Sequence, residues 1–582
     1  MHVPDAPFAY GVGPSLLRVV VRVPRGQVLG GRVAFNDRYA WEGNDYAPLR
    51  EQAPLWLYAH DGSAEYWAAD LQLHPPRLRY RFGLDTADGL RWFGWDGLRD
   101  EPAPRGAFEF AYLAEGDQPD SPDWARGAVF YQIFPDRFAR GKVAHRKGPV
   151  APWDSRPTSK TFLGGDLDGI IEHLDHISAL GADALYLTPI FTAPSNHKYD
   201  TADFFNVDPD FGGNDALHRL VAALHERGMG LVLDGVFNHV GATWPPFVDV
   251  LKRGDRSPHA SWFYFQGKSY ETWATNVASL PKLRTSEPAV RELVCDVGRF
   301  WVKEYGIDGW RLDVANEVDH ALWRAFRAAV RAVNQRAFMV GEIWEWALPW
   351  LRGDQFDSTM NYPVRSAILR YAGAGKVASP LEGTIDGAGF LNAVDRVRAA
   401  YPEPIHDLLY NLIGSHDEVR PLTALEKDRD SLAVAAALLF ALPGIVSIYY
   451  GDEVGMYGAN DPFNRAGMVW DASRQDQKLL ALFRRLGALR RELPVLRSGG
   501  YQRLGDQDGA AAFARGSGVG RVVVIANAAR QSTMLGAKVV RSWVGGDLDR
   551  LETFSYSGSS ARPSRGRILL PAQSVTLVRA AS

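Results

Sequence analysis

One cysteine stands in 582 residues, Cys295, so the chain can form no internal disulfide. Its apolar neighbours within the helix-like run 290–300 mark it as a core thiol and not a nucleophile. No apolar stretch approaches the ~20 residues that a bilayer-crossing helix needs, and Met1 to Ser15 lack a basic region followed by an apolar core. A cytoplasmic protein without a membrane partner is therefore expected. Charge of one sign is missing too: 65 Lys and Arg face 68 Asp and Glu, a formal net charge of -3. That balance gives no ground for a nucleic-acid partner.

What the chain does have is length and aromatic surface. At 582 residues it exceeds what one hydrophobic core serves, and about two to four domains are expected. The 18 Trp and 22 Tyr make a high aromatic content; most of these rings read as ordinary core, but aromatic faces also stack well on the apolar faces of sugar rings. Residues 1–122 hold short alternating runs, such as Leu17 to Val23 and Arg77 to Phe82, between Gly, Pro and Asp-Gly turns, which predicts an antiparallel β-sandwich. A Pro- and Asp-rich stretch from Gln118 to Asp123 reads as a linker. From Ala128 strand-like runs alternate with helix patterns across 123–496, the texture of an α/β (β/α)8 barrel. Between His239 and Pro288, about residues 239–288, lies a long irregular, aromatic-rich insertion. From 497 to 582 short β runs return and predict a C-terminal antiparallel β domain.

The chemistry gathers at the ends of the apolar runs. In Gly309-Trp310-Arg311-Leu312-Asp313, Arg311 and Asp313 are two apart, so on a strand they share one face. An Arg-x-Asp pair alone is most often a structural ion pair. Here three more polar segments follow apolar runs in the same way: Asp234 leading to Asn238-His239, Glu342-Ile343-Trp344, and Ser415-His416-Asp417. Polar residues at successive strand ends make a barrel active site. Breaking a glycosidic bond takes one ionised carboxylate at the anomeric carbon and one protonated carboxyl beside the leaving oxygen. Asp313, beside a guanidinium that keeps it ionised, suits the first role. Glu342, whose neighbours Ile343 and Trp344 disfavour its charge, suits the second.

These four segments resemble the signature regions of the α-amylase superfamily of glycoside hydrolases. The runs Val314-Ala315-Asn316-Glu317-Val318, Leu280-Pro281-Lys282-Leu283 and 349–357 narrow the likeness to the neopullulanase, cyclomaltodextrinase and maltogenic amylase subfamily. The resemblance implies a retaining hydrolase of α-1,4-glucosidic bonds in cyclodextrins, pullulan and maltooligosaccharides, with transglycosylation. Asp313 would be nucleophile, Glu342 acid and Asp417 the third carboxylate. Tyr199 would stack on the sugar, His239 and His416 would bond its hydroxyls, and Arg311 would orient the nucleophile. Trp344, Asp461 and Arg465 would border the cleft, and Glu317 would lie near an acceptor sugar. A starch-binding-like N-terminal domain and a homodimer are implied as well.

The chain departs from the subfamily in three places. After the first strand, where a calcium loop is common, Arg140, Lys142, Arg146 and Lys147 stand in place of anionic ligands, so no cofactor is required and a calcium site is doubtful. Glu418 follows Asp417, and Glu345-Trp346 follow Trp344. An exo-acting α-glucosidase or glucosyltransferase/isomerase of the same superfamily is the alternative enzyme. A catalytically silent carbohydrate-binding protein would have lost one of the three carboxylates, and all three are present.

Overall fold

The computed structural model describes every residue except 104, 119, 275, 519, 546–550 and 580–582. Pro119 of the expected linker therefore lies outside the described residues, as do Thr275 of the insertion and part of the C-terminal β region. Two compact units divide the chain: Met1–Asp120 with Ala388–His406, and Ser121–Gly387 with Asp407–Ser582.

The second unit is built on eight parallel strands: β1 Val129–Ile133, β2 Ala184–Leu187, β3 Gly230–Gly235, β4 Gly309–Leu312, β5 Phe338–Gly341, β6 Ser358–Thr359, β7 Tyr410–Leu412 and β8 Ile445–Tyr449. They pair in sequence order, β8 returns to β1, and a parallel bridge from Met360 to Tyr410 joins β6 to β7 and closes the barrel. All residues of β1, β2, β4 and β5 are buried. Strands covered on both faces read as continuous apolar runs, which is how they appear in the sequence.

Period two along the strands sets the site. One cluster fills the barrel's lower interior with Phe130, Ala184, Val232, Phe338, Val340 and Tyr410. Two residues further along the same strand faces come Gln132 after Phe130, Tyr186 after Ala184, Asp234 after Val232 and Glu342 after Val340. The floor is thus apolar and the rim polar because one face of each strand changes character at its C-terminal end.

The stretch 239–288, expected to be irregular, is organised. It holds a helix at Pro245–Arg253, opened by Pro245 in its first turn, and a two-stranded ribbon, Phe265–Gln266 with Ser269–Tyr270. Antiparallel bridges from His239 to Lys282 and from Phe263 to Leu283 fold it back on itself. Beyond the barrel, five antiparallel strands (Gln502–Gln507, Ala510–Arg515, Val522–Asn527, Ser574–Arg579, Leu551–Phe554) and a three-stranded sheet share a core with the helix Ala537–Val544.

In the first unit a four-stranded antiparallel sheet faces a six-stranded one. In the strand Leu16–Pro24, Leu17, Val19, Val21 and Val23 enter the core between the sheets. Val20 points to the opposite face and packs with Phe8, Tyr10 and Ala399. The helix Gly387–Ala400 thereby covers the outer face of that sheet, which explains why Val19-Val20-Val21 is unbroken by a polar residue. Trp41 and Trp95 are exposed, at 55% and 80%, and Tyr46 is half-buried, whereas Trp92 is buried beneath the Arg32 guanidinium. Among the described residues no helix is long and apolar enough to cross a membrane.

Candidate active site

At the C-terminal end of β4 the Arg311 side chain is 1% exposed and serves as hub. Its Nη1 donates to both carboxylate oxygens of Asp234, at 2.8 and 2.9 Å, and to Asp313 Oδ1 at 2.7 Å. Its Nη2 stands 3.0 Å from Glu342 Oε2, an ion pair outside hydrogen-bond geometry, and 3.9 Å from Asp417 Oδ2. Four carboxylates from four strand ends therefore meet one guanidinium, whose planar fork suits several acceptors at once.

Asp313 leaves the strand through Val314, whose φ of 44° is left-handed and costly for a β-branched residue. That turn aims the Val314 N–H at Glu342 Oε2, 3.0 Å away. Trp344 donates its indole N–H to Glu342 Oε1 at 3.1 Å and stacks on Tyr362 with centroids 4.2 Å apart. The tryptophan expected to act as an apolar wall beside Glu342 is thus a hydrogen-bond donor to it.

Burial dominates the electrostatics. It pushes Asp313 well up, with Arg311 pulling down and Glu342 and Asp234 adding to the rise. Proximity to arginine does not by itself hold this carboxyl low, which corrects the expectation from sequence. Burial likewise raises Asp234 to about 6, against the pull of Arg311, and raises Asp417 against Arg465 and Arg311. Carboxyls so crowded titrate as a group and not as separate residues. His239 is driven down to about 3 and His416 well down, both by burial first, so both imidazoles are neutral.

These groups surround an open cavity of about 610 Å³ lined by Asp313, Glu342, Asp417, Tyr199, His239, Trp344, Asp461 and Arg465. Arg311 and His416, each 1% exposed, are outside that lining but bond to it, Arg311 to Asp313 and His416 to Tyr199. Arg465 Nε–H donates to the His416 carbonyl at 2.8 Å, and the guanidinium also pairs with Asp417 and Asp461. His239 Nε2 is buried without a protein partner and so offers a hydrogen-bonding place to a ligand. Glu317 is not part of the lining. It is 43% exposed at its side chain and held by Lys282 Nζ at 2.9 Å.

Several contributing residues were not singled out from sequence. His197, Asp200, Trp273 and Asn316 also line the cavity. Tyr199 OH lies 2.5 Å from His416 Nε2 and 2.9 Å from Asp234 Oδ2, and Tyr186 OH donates to the same oxygen at 2.6 Å. Lys198, left-handed at φ 60°, turns the chain into Tyr199 and buries its Nζ against Asp208 at 2.6 Å. Asp234, at the end of an apolar run, carried the one visible signal.

The segment after β1 does not fit calcium. The Arg140 guanidinium occupies the carbonyls of Leu163 and Ala151, at 2.7 and 2.9 Å, and Arg146 pairs with Asp210. The Asp166 carboxylate accepts the N–H groups of Gly141 and Gly169. These oxygens are bound to cationic or N–H donors. Among the described residues no three His, Cys, Asp or Glu side chains gather to hold a metal. Glu418 turns away from the cavity to Arg365, 3.0 Å away.

Comparison with known proteins agrees with this architecture. The family described as alpha amylase, catalytic domain, matches residues 132–494, and the alpha amylase N-terminal ig-like domain matches 1–114. A cyclomaltodextrinase from Geobacillus thermopakistaniensis (strain MAS1) is 39% identical, over 90% of this chain and 90% of that protein. Neopullulanase 2 of Thermoactinomyces vulgaris is 40% identical, over 86% of this chain and 85% of its own. A solved structure of a cyclomaltodextrinase superposes with a TM-score of 0.87 at 33% identity and 99% coverage of both chains. The chain belongs to the α-amylase family of glycoside hydrolases.

Proposed function

We propose that this hydrolase cleaves α-1,4-glucosidic bonds of cyclodextrins, pullulan and maltooligosaccharides with retention, and transfers part of the product to other sugars. The carrying observation is the single guanidinium of Arg311 meeting Asp313, Glu342, Asp234 and Asp417 beneath an open cavity. In this reading Asp313 attacks the anomeric carbon and Glu342 protonates the leaving oxygen. Asp417 and neutral His239 and His416 bond hydroxyls of the same sugar, and Tyr199 stacks on it. Trp344, Asp461 and Arg465 grip neighbouring sugars. Glu317, which follows the lining residue Asn316, would meet an acceptor. No metal takes part.

Product analysis tests the reading. Incubation with β-cyclodextrin should give linear maltooligosaccharides, and pullulan should give panose. Release of glucose alone from chain ends would support the exo-acting alternative instead. Product anomers followed by NMR should keep the α configuration, and inversion would refute the assignment of Asp313.

The proposal includes a cytoplasmic homodimer. Its support is the exposure of Trp41, stacked on Tyr46 at 4.6 Å, and of Trp95, since exposed aromatic clusters mark contact surfaces. Because the sandwich shares a core with the helix Gly387–Ala400, point changes are better tests than deletion of residues 1–122. Light scattering should give a dimer that Trp41→Ala with Trp95→Ala weakens, and a monomeric wild type would refute it.

A further inference from the structure

A second cavity, of about 310 Å³, opens between the segments that follow β1 and β8. Among the described residues none lines both this cavity and the first. Its walls are two indoles pinned by their polar edges. Trp153 Nε1–H donates to the Met468 carbonyl at 2.8 Å, and Trp470 Nε1–H to the Phe138 carbonyl at 2.6 Å. The His173 ring lies flat on Trp470, with centroids 3.7 Å apart and 10° between planes. Arg140, fixed by its two carbonyl acceptors, lies over Trp153 at 5.4 Å. At the mouth Asp154 and Arg474 form an exposed ion pair of 3.0 Å.

A hexopyranose presents two kinds of surface: faces of C–H groups and a rim of hydroxyls. Rigid aromatic walls match the first, and carboxylate, guanidinium and imidazole groups match the second. Burial lowers His173, leaving a neutral ring with one donor and one acceptor, and neither is used by a protein partner among the described residues. The cations do not favour an anion. Arg140 is committed to carbonyls and Arg474 to Asp154. We propose that this cavity is a second, non-catalytic binding site for an α-glucan chain.

The location gives such a site a purpose. The segment after β8 supplies Asp461 and Arg465 to the first cavity and Met468, Trp470 and Arg474 to the second. Arg137 ties the two stretches together: its Nη1 donates to the Arg465 carbonyl at 3.0 Å, and its carbonyl accepts the Met468 N–H at 2.8 Å. A glucan held here is held at the catalytic end of the barrel.

The inference rests on the α-glucan reading of the first cavity, and the test separates the two. The full-length Asp313→Asn chain is titrated with maltotriose by calorimetry. Two sites per chain are expected, and a second variant set, Asp154→Ala with Arg474→Ala, should weaken one of them by about tenfold or more. Trp153→Ala should do the same, and the exposed pair provides the result if that indole proves necessary for folding. One site in the parent overturns the second site and leaves the first reading standing. Two sites unaltered by every variant overturn the assignment to this cavity. No binding at all overturns both.

Discussion

Gln132 Nε2 lies 2.7 Å from His416 Nδ1 at the buried end of β1. With the amide donating, Nδ1 is the acceptor and the imidazole proton sits on Nε2, 3.0 Å from Asp417 Oδ2 and 2.5 Å from Tyr199 OH. Gln132, itself outside the cavity lining, thus sets which atom His416 presents to Asp417 and Tyr199. Gln132→Leu keeps the volume and frees the tautomer. kcat/KM should fall about ten- to a hundredfold, the cost of one unsatisfied buried partner. Gln132→Glu, an acceptor in place of a donor, should not restore it. Wild-type kcat/KM in both variants would remove Gln132 from the site.

Asp313→Asn should abolish turnover on cyclodextrin while leaving the circular dichroism spectrum and melting temperature close to wild type, since an amide keeps the shape but forms no stable glycosyl ester. A loss of several orders of magnitude is expected. More than about a tenth of wild-type rate, under ~1.4 kcal/mol of barrier, would put the nucleophile elsewhere.

Chelation should do little. With Arg140 on two carbonyls and Arg146 on Asp210, dialysis against EDTA should leave activity and melting temperature unchanged. A large drop reversed by calcium would contradict the reading of that segment.

His406 is a buried reporter of pH in the first unit. Its Nε2 lies 3.0 and 2.9 Å from the carbonyls of Arg398 and Tyr401, and burial drives it down to about 3 from 6.5. Below pH 6.5 the unfolded chain takes up a proton that the folded chain refuses. Stability is therefore full above that pH and falls as pH drops toward 3. Between pH 7 and 5 the loss from this group is about 2 kcal/mol. In His406→Gln the fall in apparent melting temperature over that range should be smaller than in wild type, and parallel curves for the two proteins would contradict it.

Much of this was legible from residues two apart. Arg311 and Asp313 share a strand face, and the same period carries Val340 to Glu342 and Val232 to Asp234. Gln132 follows the same rule, but a lone amide inside Val129-Phe130-Tyr131-Gln132-Ile133 has no visible partner until β1 lies beside the loop that carries His416. Lys198 was hidden for another reason: its left-handed backbone and its pairing with Asp208 leave no mark in the sequence. Neighbours along the chain revealed the arginine beside Asp313 but not the burial that outweighs it. The grouping of Ala388–His406 with a sandwich some 300 residues earlier rests on packing of Ala399 with Phe8 and Tyr10, and on Arg18 meeting both Asp70 and Glu403.

Around the first cavity, Asp234, Asp313, Glu342 and Asp417 face two guanidinium groups, Arg311 and Arg465. Four carboxyls against two guanidinium groups bias the field at this buried rim toward negative charge. A bound sugar in its resting state is neutral and gains little from that field. The ring gains from it only as its bond to oxygen stretches and its anomeric carbon becomes electron-poor. The cavity thus recognises charge that exists only during reaction, and a ligand with a protonated nitrogen in the ring should bind it far more tightly than the glucan it imitates.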